Sequence, residues 1–215
     1  MARARNTSVL VLASGSPRRL QLLEQIGYPP DHLAPAGIDE TPLSKERPNA
    51  YAMRLAREKA DVAWERVREA LDPLNTFVLA ADTVVSIGRR ILPKADSYEV
   101  AEACLKNLSG RNHRVMTAVV LRGPRGKVRE RLVETRVKMK RLSDKEIADY
   151  LASAEWDGKA GGYAIQGRAG AFVTGIVGSY FNVVGLPLYE TEALLVGSGF
   201  KPSVATDDAE TVAAQ

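Results

Sequence analysis

Residues 76–88, TFVLAADTVVSIG, form a long apolar run that is interrupted by a single acidic residue, Asp82. An apolar run of this kind is typical of a strand that is buried on both faces. Residues 9–13 predict a second, shorter buried strand. Strands without a polar face need helices on both sides of their sheet, so the chain is predicted to adopt an α/β fold.

Helix signals follow these strands. Ser16 is a good N-cap and Pro17 a favourable first residue, which predicts a helix over residues 17–26. The patterns DSYE and SDKE are typical of capping boxes and predict helix starts near residues 96 and 143. Further helices are predicted from apolar spacing over residues 48–71 and from residue 187 onward.

Two predicted strands, 114–122 and 127–141, are joined by the turn GPRG and interrupt the alternation of strands and helices. Such a hairpin favours a mixed, twisted sheet with flanking helices over a doubly wound parallel one. We find no internal repeat and no linker, so residues 1–200 are predicted to form one domain. Residues 201–215 are polar and aperiodic, and are predicted to be a disordered tail.

Charge and cysteine usage narrow the classes of protein that remain. The 215-residue chain has a formal net charge of +4, which favours anionic partners without selecting among them. Its one cysteine, Cys104, rules out an internal disulfide and lies in a helical pattern, which predicts a buried packing residue. With only two histidines as well, a closed zinc site is not expected. No apolar run approaches 18 residues, and the N-terminal run VLVLA is too short for a signal peptide, so we expect a cytoplasmic protein without a membrane span.

The stretch LASGSPRR, residues 12–19, joins a strand to a helix start and carries two arginines there. A cation at the positive end of a helix costs about 0.3–1 kcal/mol. Ser14, Arg18, Arg19 and the unpaired N–H groups of the helix would together suit an anion, with phosphate as the natural guest. The alternative is a solvated arginine pair on an ordinary helix start.

Asp82 is predicted at or near the end of its strand, where an unpaired buried carboxylate would be costly. It must therefore pair, bind a metal or open into a cleft, unless it merely caps a turn. Thr83 follows on the opposite face and could donate its hydroxyl. Asp39 and Glu40, in a proline-rich loop, could supply a second carboxylate for a divalent cation, or could simply be solvated.

Several single residues could bind a ligand or take part in catalysis, but each could also have a purely structural role. Lys59, Lys94 and Lys159 stand beside small residues and could reach a phosphate, or lie on the surface. His113 could be catalytic or structural. Gln166 could read the donor and acceptor groups of a base edge, or could satisfy the backbone of a turn.

Six segments in order resemble the Maf family of nucleoside triphosphate pyrophosphatases over residues 9–196: LASGSPRRLQLLEQIG, RLAREKA, LAADTVV, LSGRNHRVMTAV, KAGGYAIQG and GSYFNVVGLPLYET. The resemblance implies a mixed α/β fold with two lobes around a central cleft, similar to inosine-triphosphate pyrophosphatases. It implies hydrolysis of a nucleoside triphosphate to a monophosphate and pyrophosphate, with Mg²⁺ or Mn²⁺ as cofactor. Members of the family often dimerise, so the resemblance allows a homodimer.

The resemblance assigns roles to individual positions. Asp82 matches the family's general base. Asp82 with Glu40 would hold the metal, and the sequence does not separate the role of Asp82 as base from its role as metal ligand. The positions implied for substrate binding are Ser14, Arg18, Arg19, Lys59, Thr83, Lys94 and Gln166. The family's GKP and DKAGAYGIQG appear here as PKA and GKAGGYAIQG, which leaves the loop around Lys94 and the details of base recognition open.

Three short motifs bear on the substrate. SPRR, ADT and IQG match the branch that hydrolyses dTTP and UTP, in which Arg18, Thr83 and Gln166 would select the base. A sister specificity for 7-methyl-GTP is the nearer alternative. A non-catalytic, nucleic-acid-binding regulator is the more distant one, because residues 120–145 hold ten Lys and Arg against three acids. The low aromatic content, 6%, and the lack of a stacking pattern argue against specific nucleic-acid binding.

Overall fold

The computed structural model describes residues 8–202, and these build a seven-stranded mixed sheet. The strands are β1 Val9–Leu12, β2 His32–Leu33, β3 Thr76–Ile87, β4 Arg90–Leu92, β5 Asn112–Arg122, β6 Val128–Met139 and β7 Val173–Val177. Their order is β2-β1-β3-β5-β6-β7, and β4 pairs with the far end of β3. The first two pairings, β2 with β1 and β1 with β3, are parallel, and the others are antiparallel. The predicted mixed α/β sheet with flanking helices is confirmed.

Six α-helices are found in the described part of the chain. They are α1 Pro17–Gln25, α2 Pro48–Val67, α3 Tyr98–Leu108, α4 Asp144–Leu151, α5 Tyr180–Val184 and α6 Leu188–Gly197. The capping box of α4 forms as predicted between Ser143 and Glu146. At α3 the predicted cap is displaced by one residue, because the hydroxyl of Ser97, and not Asp96, accepts from the backbone N–H of Val100.

Helices cover both faces of the sheet. On one face α2 packs through Tyr51, Leu55 and Trp64 against the side of β3 that carries Val78 and Val84. On the other face α1 and α6 cover one part of the sheet, and α3 and α4 cover the rest. Cys104 is 2% exposed within this second layer, as predicted. In residues 8–202, no helix combines the length and apolar character needed to cross a membrane.

The position of Asp82 differs from the prediction. It lies in the middle of β3, opposite Ala118 of β5, and not at the end of a strand. The strand alternation sends Asp82 to the face covered by α2 and Thr83 to the opposite face. The long strand continues through the acid because a cation from α2 pairs with it, as described below.

Four short elements, β2, β4, β7 and α5, were not predicted. Each has two to five residues, too few to show a periodic pattern. Of the predicted tail, only Lys201 and Pro202 fall within the described residues, and 203–215 lie outside them.

Candidate functional site

A cleft of about 240 Å³ opens where β1 ends, between the start of α1, the middle of α2 at Lys59 and the loop of residues 158–166. All nine residues that the sequence singles out as site residues line it: Ser14, Arg18, Arg19, Glu40, Lys59, Asp82, Thr83, Lys94 and Gln166. The cleft thus brings together positions separated by more than 150 residues of chain.

A row of alternating charges forms one wall of the cleft. The ammonium of Lys59, buried on α2, donates to Asp82 Oδ1 at 2.5 Å and lies 2.6 Å from Glu40 Oε1. The other oxygen of Glu40 accepts from Lys94. Asp82 therefore both pairs with a cation and faces the cleft, which removes the cost of a lone buried carboxylate.

The loop acid Glu40 is held in its ionised form. Partial burial raises the pKa of its carboxyl. The hydrogen bonds and charges of Lys59 and Lys94 lower the pKa by more than burial raises it, so the pKa lies below its usual value. The hydroxyl of Tyr51 donates to the backbone carbonyl of Glu40 and fixes the loop against α2. Its neighbour Asp39 is exposed, does not line the cleft and accepts from the N–H of Thr41.

The arginine pair forms the opposite wall, and its surroundings explain why cations are tolerated at a helix start. Arg19 donates to the carbonyl of Gly185 at 2.8 Å, and Arg18 donates to the carbonyl of Val184 at 3.4 Å. These carbonyls close the C-terminal end of α5, which carries partial negative charge. Burial lowers the pKa of both guanidinium groups, and the nearby carboxylate of Asp82 counteracts this for Arg19.

Two further contacts complete the environment of Arg19. Its guanidinium donates to Ser14 Oγ and to Thr83 Oγ1, both at 3.1 Å. From the sequence, Thr83 could donate its hydroxyl on the face opposite Asp82, and the structure places that hydroxyl between Arg19 and Thr117. Gln166 lies exposed on the loop that closes the far side of the cleft.

Lys159 also lines the cleft, although it is not among the nine residues above. Burial lowers the pKa of its ammonium, and the charge of Arg18 lowers it further. The Lys159 loop is joined to the Lys94 loop by a bridge between Lys94 and Ala160. The recurrence of lysine beside small residues was the sequence signal, but it does not separate lysines in a cleft from those on the surface.

His113 has a structural place. It is 2% exposed, does not line the cleft, and its Nε2 lies 2.7 Å from the hydroxyl of Tyr163. Burial lowers its pKa to about 4. Tyr163 precedes Gln166 in the loop, so His113 anchors the loop to strand β5 of the sheet.

This burial predicts a pH dependence of stability. The folded state keeps His113 neutral down to about pH 4, whereas the unfolded chain takes up the proton near pH 6.5. Between these values the unfolded state binds more protons, so the free energy of unfolding falls as the pH is lowered from about 6.5 to about 4. The variant His113→Gln should show a shallower fall in urea titrations across this range. His32→Gln, at the exposed second histidine, is the matched control, and equal slopes for wild type and His113→Gln would contradict the prediction.

The donor set of the cleft suits a hard divalent cation that binds together with a ligand. Asp82 and Glu40 offer carboxylate oxygens, which Mg²⁺ and Mn²⁺ prefer. No group of three or more His, Cys, Asp or Glu residues that could hold a metal is found within residues 8–202. Further ligands would therefore have to come from phosphate oxygens and water, as is usual for Mg²⁺.

Fold and cleft together define a mixed α/β protein with a cleft that is lined by cations and lies beside a buried carboxylate. The family model described as "Maf-like protein" matches residues 9–197, which is most of the chain. The chain therefore belongs to the Maf family, as the sequence motifs indicated.

Relatives at about 60% identity support this membership. The chain is 60% identical over 192 residues to a protein of Chelativorans sp. (strain BNC1) named "dTTP/UTP pyrophosphatase", covering 89% of this chain and 92% of that relative. It is 61% identical over 191 residues to a protein of the same name from Rhodopseudomonas palustris (strain HaA2), with the same coverage. Among solved structures, a HAM1 protein from Coxiella burnetii matches 89% of this chain and 100% of its own, with a TM-score of 0.48 and 15% identity.

Proposed function

We propose that this chain is a nucleoside triphosphate pyrophosphatase that hydrolyses dTTP and UTP to the nucleoside monophosphate and pyrophosphate. Modified pyrimidine triphosphates would be further substrates, in a role that cleanses the nucleotide pool of the cytoplasm. The observation that carries the proposal is the composition of the cleft, in which five cations and two carboxylates converge. Relatives at about 60% identity are named for this activity.

The two walls of the cleft support different tasks. The three cations Arg18, Arg19 and Lys159 have no carboxylate within 4 Å among the described residues, so they are suited to hold phosphate groups. Lys59 and Lys94 are bound to carboxylates and hold those groups in place. The reacting water would therefore meet the two carboxylates, while the triphosphate spans the cleft from the arginines to the lysines.

In the proposed reaction, water attacks the α-phosphorus and the bond to the bridging α–β oxygen breaks, so that pyrophosphate leaves. Asp82 accepts the proton of the water. Asp82 Oδ1 accepts a hydrogen bond from Lys59, so the other carboxylate oxygen is the one that accepts the proton. Lys94 and Lys59 stabilise the negative charge on the departing pyrophosphate.

Glu40 would hold the Mg²⁺ or Mn²⁺ that the family resemblance implies, and Asp82 would join it as a ligand in the alternative role that the sequence leaves open for this residue. When bound, such a cation neutralises charge on the reacting phosphates. The pairing of both carboxylates with one ammonium, at 2.5 and 2.6 Å, keeps them close enough to share a ligand between them.

The test of the proposal is a substrate panel. Release of pyrophosphate is measured with dTTP, UTP, 7-methyl-GTP and the purine triphosphates, each with Mg²⁺ and with Mn²⁺. Preference for dTTP and UTP supports the proposal, and preference for 7-methyl-GTP would assign the sister specificity instead. If no triphosphate is hydrolysed, the enzyme assignment fails.

Base selection is expected to depend on Gln166. Gln166→Glu keeps the shape of the side chain but replaces the amide donor by an acceptor, so a base carbonyl facing it loses its partner. We expect kcat/KM for dTTP to fall about 10–100-fold, and kcat/KM for 7-methyl-GTP not to fall with it. Gln21→Glu on the exposed side of α1 is the matched control. An unchanged ratio between the two substrates would contradict the role of Gln166.

A homodimer is part of the proposal. Large apolar side chains stand exposed on β7 and α6, including Val177, Tyr189 and Val196. Their burial against a second copy would remove apolar surface from water. Light scattering at micromolar concentration tests this, and a monomer mass would refute it.

A further inference from the structure

We infer that Thr117, a buried residue outside the cleft, positions Arg19 for phosphate binding through the hydroxyl of Thr83. The inference rests on the proposed function of the cleft. Thr117 lies on β5 directly opposite Thr83 on β3, and the two hydroxyl oxygens are 2.9 Å apart. Thr117 is 0% exposed and does not line the cleft.

The direction of each hydrogen bond in the series from Arg19 through Thr83 and Thr117 to Asn182 is fixed. The hydroxyl of Thr117 donates to the carbonyl of Asn182 at 2.9 Å, which uses its one hydrogen. Thr117 can then only accept from Thr83, so the hydrogen of Thr83 is used as well. Thr83 in turn can only accept from Arg19, which has donors alone.

The Asn182 end of this hydrogen-bond series is anchored in the core. Asn182 is 0% exposed, and its side-chain amide donates to the carbonyl of Val115 and to Thr135 Oγ1, both at 3.0 Å. These bonds tie α5 to the sheet. Because α5 and Gly185 also supply the carbonyls that hold Arg18 and Arg19, one buried network orients the whole arginine wall.

Two consequences follow for position 83. The Thr83 hydroxyl has no hydrogen left to donate to a base, so it can meet a substrate only as an acceptor. The residue at position 83 also acts on substrate binding indirectly, since it is one of three groups that hold the Arg19 guanidinium.

The test uses Thr117→Val, which keeps the shape of the side chain and removes the hydroxyl. We expect KM for dTTP to rise about tenfold with a smaller change in kcat, because Arg19 holds phosphate in both the ground and transition states. The Kd for inorganic pyrophosphate, measured by calorimetry, should rise by a similar factor. Thr117→Ser restores the hydroxyl and should bring both values back near those of the wild type.

Thr191→Val is the matched control. Thr191 is also 0% exposed, and its hydroxyl donates to the carbonyl of Pro187 at 2.7 Å, away from the cleft. Both valine variants should lose similar stability in urea, but only Thr117→Val should change KM and the pyrophosphate Kd. The inference would be overturned if Thr117→Val and Thr191→Val had the same KM and pyrophosphate Kd. It would also be overturned if Thr117→Ser did not bring these values back toward those of the wild type. Wild-type protein that binds pyrophosphate but hydrolyses no triphosphate would refute the proposed function alone, and the calorimetric comparison would still decide the role of Thr117.

Discussion

Asp82→Asn is expected to reduce kcat for dTTP by about 10²–10⁴-fold, the range that a general base contributes. Asparagine has nearly the same shape and can still accept a hydrogen bond from Lys59, so the wall of the cleft is retained. What is lost is the negative charge, and with it the ability to take a proton from water. The kcat of Asp82→Asn should therefore fall strongly, while its free energy of unfolding should change far less.

Pyrophosphate release under saturating dTTP measures this effect. Asp61→Asn is the control, because Asp61 is an exposed acid on α2 whose ion pair with Arg122 lies on the surface. Exposed pairs contribute about 0–1 kcal/mol, so the control should keep full activity. Equal activity of Asp82→Asn and wild type would remove Asp82 from the mechanism.

Lys59→Met should cause the largest loss of stability. Lys59 and Asp82 have side chains that are 9% and 3% exposed, and methionine would leave the carboxylate of Asp82 buried without its cation. Removing one partner of a buried pair costs about 3–5 kcal/mol. Glu40 is affected less, because it keeps its bond to Lys94.

A double-mutant cycle separates the charge effect from the loss of packing. In Lys59→Met combined with Asp82→Asn, no unpaired charge is buried, so the free energy of unfolding in urea should recover in large part. Lys145→Met, at an exposed position on α4, is the control and should change little. If the double variant is no more stable than Lys59→Met, the two residues do not form the pair described here.

Motifs in the sequence identified the residues of the cleft but not how they are held. The apolar run of β3 marked Asp82 as unusual, yet its place inside the strand depends on Lys59, which lies 23 residues earlier and on another element. The sequence offered no means to see that pairing. Glu40 and its neighbour Asp39 share one proline-rich loop; the family resemblance singled out Glu40, and the fold explains why, since it turns Glu40 toward the lysines and leaves Asp39 exposed.

The arginine pair is the clearest limit of sequence reasoning. Two cations at a helix start appeared as a local conflict that a bound anion would relieve. The fold supplies another source of relief, since α5 brings its terminal carbonyls to the same place from more than 160 residues away. A helix of five residues has no periodic signature, so nothing in the sequence placed it there.

The location of Asp82 on β3 has a consequence for how the molecule opens. β3 is bonded to β1, β4 and β5, so its amides exchange with solvent only when the sheet itself comes apart. Gln166 is exposed at the end of a loop that is held by backbone bonds to residues 93–95 and by the buried contact of Tyr163 with His113, and local opening at an exposed position requires less free energy than opening of the sheet. In the proposed enzyme, brief openings therefore release Gln166 while Asp82 stays in place. Discrimination between bases, rather than the rate of hydrolysis, is then the first property that warming erodes.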